Sequence, residues 1–429
     1  MLRIASIWLT MALMCPAVFS QNFVEMRPTP QQAAWQDLEI GVLIHFGPNT
    51  FMDKEWGDGT ADPKVFNPQK LNAEQWVLAA KAGGARYLVM VAKHHDGFCL
   101  WPSRHTDYSV KSSPWHGGKG DLVGEVASAC RKHGLKFGIY LSPWDRHEPS
   151  YKDNRAYDAY YKSQMQELVT RYGELVEFWL DGAGSEGHVY NFESYAETLR
   201  TYQPNTMVFA DVGFLPWGDI RWVGNESGEA PETNWNVVDR HGYLRWRPAE
   251  ADTPLRNAHW FWHPNDEGSL KSLDKMLDTY HKTVGRGAQL VLGLAPDNRG
   301  LLPDSDAARL REFGETLARI YGQDLARGKT VWSQESDVHT MVAEADFRTP
   351  QSLDRIVLME WIHLGQHVQR YDIQAFNGGY WKTLCEGTTI GHRKIDIFPR
   401  TTATRVRLRI LQASATPKIR GFQVFDGKK

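Results

Sequence analysis

From Ile40 to Ala295 continuous apolar runs alternate with amphipathic stretches, and from about residue 329 the helical period disappears. These two textures predict an α/β protein: a (β/α)8-type, TIM-like barrel over residues 21–328, followed by a C-terminal all-β sandwich over 329–429. A third observation agrees with them. The count of strand–helix units approaches eight, the number that closes such a barrel.

The elements follow in order. "IGVLIHFG" reads as a strand and "NAEQWVLAAKAGG" as the helix after it. "RYLVMVAKHH" precedes "DLVGEVASACRKHG", and "LKFGIYLS" precedes a long helix around "YYKSQMQELVTRYG". Next come "LVEFWLDG", a helix near "ESYAETLRTYQ", and "TMVFAD". Last, "SLKSLDKMLDTYHKTVG" precedes "AQLVLGLAP". Strands apolar on both faces belong in a parallel sheet covered on both sides. The stretch from Arg221 to Pro264 is irregular and Trp-rich, so the barrel is expected to be imperfect there. Beyond Lys329, "DRIVLMEWI", "YDIQAFNGG", "YWKTLCEG", "RKIDIFPR" and "RVRLRIL" are short strands, with a hairpin at Asn377-Gly378-Gly379.

Composition bounds the function. Of 429 residues 42% are hydrophobic, enough for a large core. A net charge of -2 without a basic block argues against nucleic-acid or membrane-surface partners. The 17 Trp, 16 Tyr and 18 Phe offer flat apolar faces that suit sugar rings, although most such residues fill cores. Residues 1–20 read as a secretory signal: Arg3, a short apolar Ile4 to Met14, Pro16, then small Val18 and Ser20 before Gln21. Export across the inner membrane to the periplasm or the exterior is therefore expected. No later segment reads as membrane-spanning. Cys99, Cys130 and Cys385 are spaced as neither a disulfide framework nor a zinc motif.

Barrel active sites lie at the C-terminal strand ends. There the sequence places His45, then Glu55 and Trp56 in the following loop, His94 and His95, Tyr140 with Trp144 beyond it, and Asp181. Trp179 precedes Asp181 by two residues and so shares its face. Asp211, Arg221 with Trp222, and Glu226 come later. Neutral donors, stacking aromatics and carboxylates from different strands suit a sugar, and glycoside hydrolysis needs two carboxyl groups, one ionised and one protonated. A rival reading makes the three histidines a zinc site with Asp96 or Asp181. However, adjacent strand residues point to opposite faces, so His94 and His95 converge only where the strand ends or bulges, and no metal-binding spacing is present. No metal and no cofactor is expected. For any single histidine the lesser reading is a core residue bonded to backbone.

The ordered set "IHFG", "EWG", "KHHDGF", "GIYLSPWD" and "FWLDG" resembles the α-L-fucosidases of glycoside hydrolase family 29, through most of Gln21 to Gln323. The tail is similar to the galactose-binding, discoidin-like sandwich that follows the barrel in that family. The resemblance implies a retaining exo-enzyme acting on fucosylated glycans. It implies Asp181 as nucleophile and His45, Glu55, Trp56, His94, His95, Tyr140, Trp179 and Arg221 as sugar-binding positions. Trp262 in "HWFWHP" is a looser match to an aromatic near the fucose methyl. "RWVGNESG" resembles the segment that carries the acid/base in one subgroup, which places that role on Glu226, with Asp219, Glu229 and Glu55 as competitors. That subgroup tends to cleave α-1,3- and α-1,4-linked fucose from branched Lewis-type glycans. Alternatives are a broader specificity that includes α-1,2 linkages, a different barrel glycosidase, and a glycan-binding relative without activity. In the sandwich, Trp361, Trp381 and Tyr380 could form a sugar platform; filling the core is the favoured reading.

Overall fold

The computed structural model describes residues 23–185, 187–210, 218–238, 244–334 and 337–428. The signal-like segment 1–20 and Asp211 lie outside them. Eight parallel strands close into a barrel in chain order: β1 (Ile40–Ile44), β2 (Tyr87–Lys93), β3 (Lys136–Leu141), β4 (Glu177–Leu180), β5 (Met207–Ala210), β6 (Ile220–Trp222), β7 (Ala249–Pro254) and β8 (Gln289–Leu294). β8 returns to β1 in the register Ile40 to Leu290 through Ile44 to Leu294. Inward side chains, including Leu43, Tyr87, Val89, Tyr140, Trp179, Phe209 and Val291, fill the barrel interior. Outward ones join the helices in the main core.

The helices are α1 (Pro30–Gln36), α2 (Pro48–Met52), α3 (Ala73–Ala82), α4 (Leu122–His133), α5 (Asn154–Arg171), α6 (Phe192–Tyr202), α7 (Leu273–Thr283) and α8 (Asp304–Tyr321). Asn72, Asp121, Asp153, Asn191 and Ser272 each accept a backbone N–H of the helix that follows, which fixes where α3 to α7 begin. Among the described residues no helix follows β5 or β6. Between β6 and β7 the described residues carry only a two-residue ribbon, Val237–Val238 paired with Arg245–Trp246. This is the expected imperfection, but the barrel still closes. β6 and β7 were not legible as strands: β6 is three residues long, and β7 reads "AEADTP", with acids facing inward.

The C-terminal part is antiparallel: β9 (Thr330–Gln334), β10 (Met341–Glu360), β11 (Val368–Asn377), β12 (Tyr380–Gly387), β13 (Lys394–Ala413) and β14 (Ile419–Phe425). The twenty-residue β10 and β13 pair along their length, with register shifts near Asp346 and Leu353. These irregularities let one sheet fold over a shared core of Phe347, Ile356, Leu358, Tyr371, Val406 and Leu408. The hairpin forms as read: Asn377 faces Tyr380 across Gly378 (φ 63°) and Gly379 (φ 93°), a turn only glycine adopts without cost. The core-filling reading of the aromatics is corrected. Trp361 is 51% and Tyr380 65% exposed, while half-buried Trp381 packs against the Arg405 and Arg407 guanidiniums.

This sheet docks on the N-terminal face of the barrel. Arg393 pairs with Glu39 at 2.8 Å just before β1, and Ile395 N donates to Gly285 O at 2.9 Å just before β8. The opposite face, at the C-terminal strand ends, is left for the site.

α8 crosses α3 at Gly314, where a β-carbon would overlap the carbonyl of Ala82. Gly314→Ala should therefore destabilise the fold by roughly 1–3 kcal/mol, despite alanine's better helix propensity. An unchanged melting temperature would contradict this packing.

Candidate active site

A cavity of about 260 Å³ opens at the C-terminal ends of the barrel strands. Its lining includes His45, Trp56, His94, His95, Tyr140, Trp179, Asp181 and Glu226. β2 ends at Lys93, so strand alternation no longer separates His94 from His95, and their rings lie 4.1 Å apart.

Asp181 directly follows β4. Its Oδ2 accepts from Tyr140 Oη at 2.8 Å and its Oδ1 from Ala183 N at 2.9 Å. Burial raises its pKa above the ordinary carboxylate value, and these two donors offset part of the rise. Burial also keeps all three histidines neutral: His45 and His94 lie well below the usual imidazole range, and His95 is lowered to about 3. Ser142 donates to Trp144 O at 2.7 Å, so its Oγ accepts from His95 Nδ1, also at 2.7 Å. The neutral His95 ring therefore presents a bare Nε2, 3.8 Å from Asp181 Oδ2. A sugar hydroxyl can donate there. Trp56 meets the His95 ring edge-to-face at 5.4 Å, and Trp179 stacks on Phe209 at 3.7 Å.

Three of the sequence-derived positions are not part of this lining. Arg221 alternates with the inward Ile220 and Trp222, so it points out of the barrel and bonds Asn234 and the carbonyl of Trp235. Glu55 instead accepts from Trp260 N (2.9 Å) and Phe261 N (3.2 Å) and pairs with His263 (2.6 Å), which braces the loop after β7. That loop presents Trp260 to the cavity, not Trp262. Of the competitors for the acid, Asp219 is bound by Arg200 and Val208 N at the start of β6, and Glu229 pairs with Lys282 and Lys275. Glu226, exposed on the loop after β6, is the one of these that lines the cavity. Among the described residues no cluster of three His, Cys, Asp or Glu is arranged to hold a metal ion.

Two features escaped the sequence. Asp252 of β7 lines the cavity, and beneath the floor Glu177 faces Glu250. Glu177 takes Trp179 Nε1 at 2.7 Å and Trp35 Nε1 at 2.9 Å, while Tyr87 Oη donates to Glu250 at 3.1 Å. The fixed period of two, applied down from Trp179, would have pointed Glu177 inward. Nothing marked β7 as a strand.

Comparison with known proteins settles the family. The family description "Alpha-L-fucosidase" matches residues 12–323. The chain belongs to the α-L-fucosidase family. Alpha-L-fucosidase 1 of Arabidopsis thaliana is 37% identical over 441 residues, which cover 91% of this chain and 86% of that one. Among solved structures, a glycoside hydrolase 29 family member from a rumen bacterium is 37% identical (TM-score 0.88, 94% of this chain and 78% of that chain). A Ruminococcus gnavus fucosidase of the same family, solved with fucose, is 27% identical (TM-score 0.86, 94% and 95%). This chain is accordingly a glycoside hydrolase. No helix among its described residues is long and apolar enough to cross a membrane.

The buried acid pair makes the α-L-fucosidase fold pH-sensitive. Burial lifts Glu177 from its ordinary 4.5 to about 7, and burial with the Glu177 charge lifts Glu250 further. The folded state thus keeps protons that the unfolded chain releases above 4.5, so stability is lost as pH rises from 4.5 through about 7. Glu250→Gln should make the fall in melting temperature across that window shallower; an unchanged slope would contradict the pairing.

Proposed function

We propose that this α-L-fucosidase acts from the chain end with retention of configuration, and that it removes α-1,3- and α-1,4-linked fucose from branched glycans. The observation that carries the mechanism is two carboxyl groups reaching one cavity in different surroundings. Asp181 has two donors suited to an anion, and Glu226 sits on an exposed loop free of the strand. In this reading ionised Asp181 attacks the anomeric carbon and forms a fucosyl ester. Protonated Glu226 gives its proton to the departing oxygen, then takes one from water, whose attack releases fucose. Tyr140 holds the attacking carboxylate, His95 Nε2 receives a ring hydroxyl, and Trp179 and Trp260 bound the ring. A small cavity closed below by the barrel interior suits one terminal sugar.

Linkage preference rests on the likeness of "RWVGNESG" to the segment of the α-1,3/1,4-specific subgroup. Release of fucose from a branched Lewis trisaccharide but not from 2′-fucosyllactose is the expected result. Release from both would retain the fucosidase and overturn the linkage. Asp181→Ala should lose nearly all turnover with the fold intact, and Glu226→Ala should lose activity that azide partly restores. Full turnover in either would reassign that role. Export by residues 1–20 belongs to the same proposal, and a mature protein beginning elsewhere than Gln21 would count against that cleavage site.

A further inference from the structure

The cavity holds one acid more than a double displacement uses. Asp181, Glu226 and Asp252 all line it, and no lysine or arginine among the described residues does. His45, His94 and His95 are neutral, so among the described residues of the lining no cation offsets the three carboxyls. Ionising all three carboxyl groups around one small cavity is costly, because each anion raises the cost of the next. Asp181 has the donors that favour an anion, and Glu226 is on an exposed loop. Asp252 is the most enclosed of the three, at 5% exposure. It lies on the same inward face of β7 as Glu250, two residues below, which itself holds a proton. One side chain hydrogen-bonds Asp252 among the described residues: Trp222 Nε1 donates to Oδ1 at 2.6 Å. Its own backbone N–H also bonds the carboxyl, and the residue still lines the cavity.

We propose that Asp252 is a binding residue of the sugar pocket that keeps its proton and donates it as a hydrogen bond to a hydroxyl of the bound monosaccharide, while Asp181 and Glu226 carry the displacement. The proposal rests on the fucosidase reading above. With Trp222 N–H on Oδ1, the proton of the neutral acid belongs on Oδ2. A neutral carboxyl in a dry pocket is a strong donor and places no second charge beside the nucleophile. Burial, Glu226 and Asp181 lift Asp252 from its ordinary 3.8 to about 7, against the Trp222 hydrogen bond. The groups facing it are therefore Trp222 from β6, Glu226 from the loop beyond, Asp181 from β4 and Glu250 from its own strand.

The test compares Asp252→Ala and Asp252→Asn in the full chain, with steady-state kinetics across pH and calorimetric binding of L-fucose. Asp252→Ala should lose ~10- to 100-fold in kcat/KM, chiefly through KM, because one hydrogen bond to substrate is gone. Asparagine supplies a neutral donor of the same shape. It should recover most of that loss and remove the fall in L-fucose affinity expected of the wild type as pH rises through about 7. Asp252→Asn as inactive as a nucleophile variant would overturn the proposal in favour of proton transfer by Asp252. An Asp252→Ala enzyme with unchanged KM would overturn it as a substrate contact. Should the alanine variant fail to fold, coincident pH profiles of wild type and Asp252→Asn would overturn it alone. Should the wild type release no fucose, the fucosidase reading fails separately. Equal L-fucose affinity in wild type and Asp252→Asn at high pH would then still overturn the role of Asp252.

Discussion

Two carboxyl groups facing each other in a dry barrel interior tie the fold to the site. Glu177 and Glu250 come from β4 and β7, three strands apart around the closed sheet. Their oxygens gather Trp35, Trp179 and Tyr87, so the floor of the cavity hangs from one hydrogen-bonded centre. Charged carboxylates there are costly, so burial raises the pKa of both acids, and the Glu177 charge raises Glu250 in addition. The same centre sets the orientation of Trp179, and with it the wall against which Asp181 lies.

Above this floor, the described lining carries acids and neither lysine nor arginine. The histidines are too enclosed to carry protons, and the arginine nearest in sequence points away. The chemistry then depends on which carboxyl holds a proton and which accepts donors. The antiparallel sheet takes no part in the cavity: it braces the opposite face through Glu39, Asp37 and Gly285. Its exposed aromatics lie outside the barrel core.

Much of this architecture was legible because parallel strands covered on both faces read as continuous apolar runs. β1, β2, β3 and β4 were plain for that reason, and His45, His94, His95, Tyr140, Trp179 and Asp181 could be read from their ends. β7 was hidden because its inward positions are Glu250 and Asp252, which a hydrophobicity argument takes for a loop. Asp252 was lost with it. β6 is too short to reveal its alternation, which turns Arg221 away from the cavity lining. Glu55 and Trp262 sit in loops, where spacing carries no direction, and only the fold shows Glu55 bonding backbone while Trp260 reaches the cavity.

The central claim is covalent: Asp181 carries the sugar during turnover. Incubation with a 2-deoxy-2-fluoro fucosyl donor, whose intermediate hydrolyses slowly, followed by peptide mass spectrometry, tests it most directly. The account predicts one added fluorofucosyl group on the peptide containing Asp181. An adduct on the Glu226 peptide, or turnover of the donor with no adduct at any time, would contradict it.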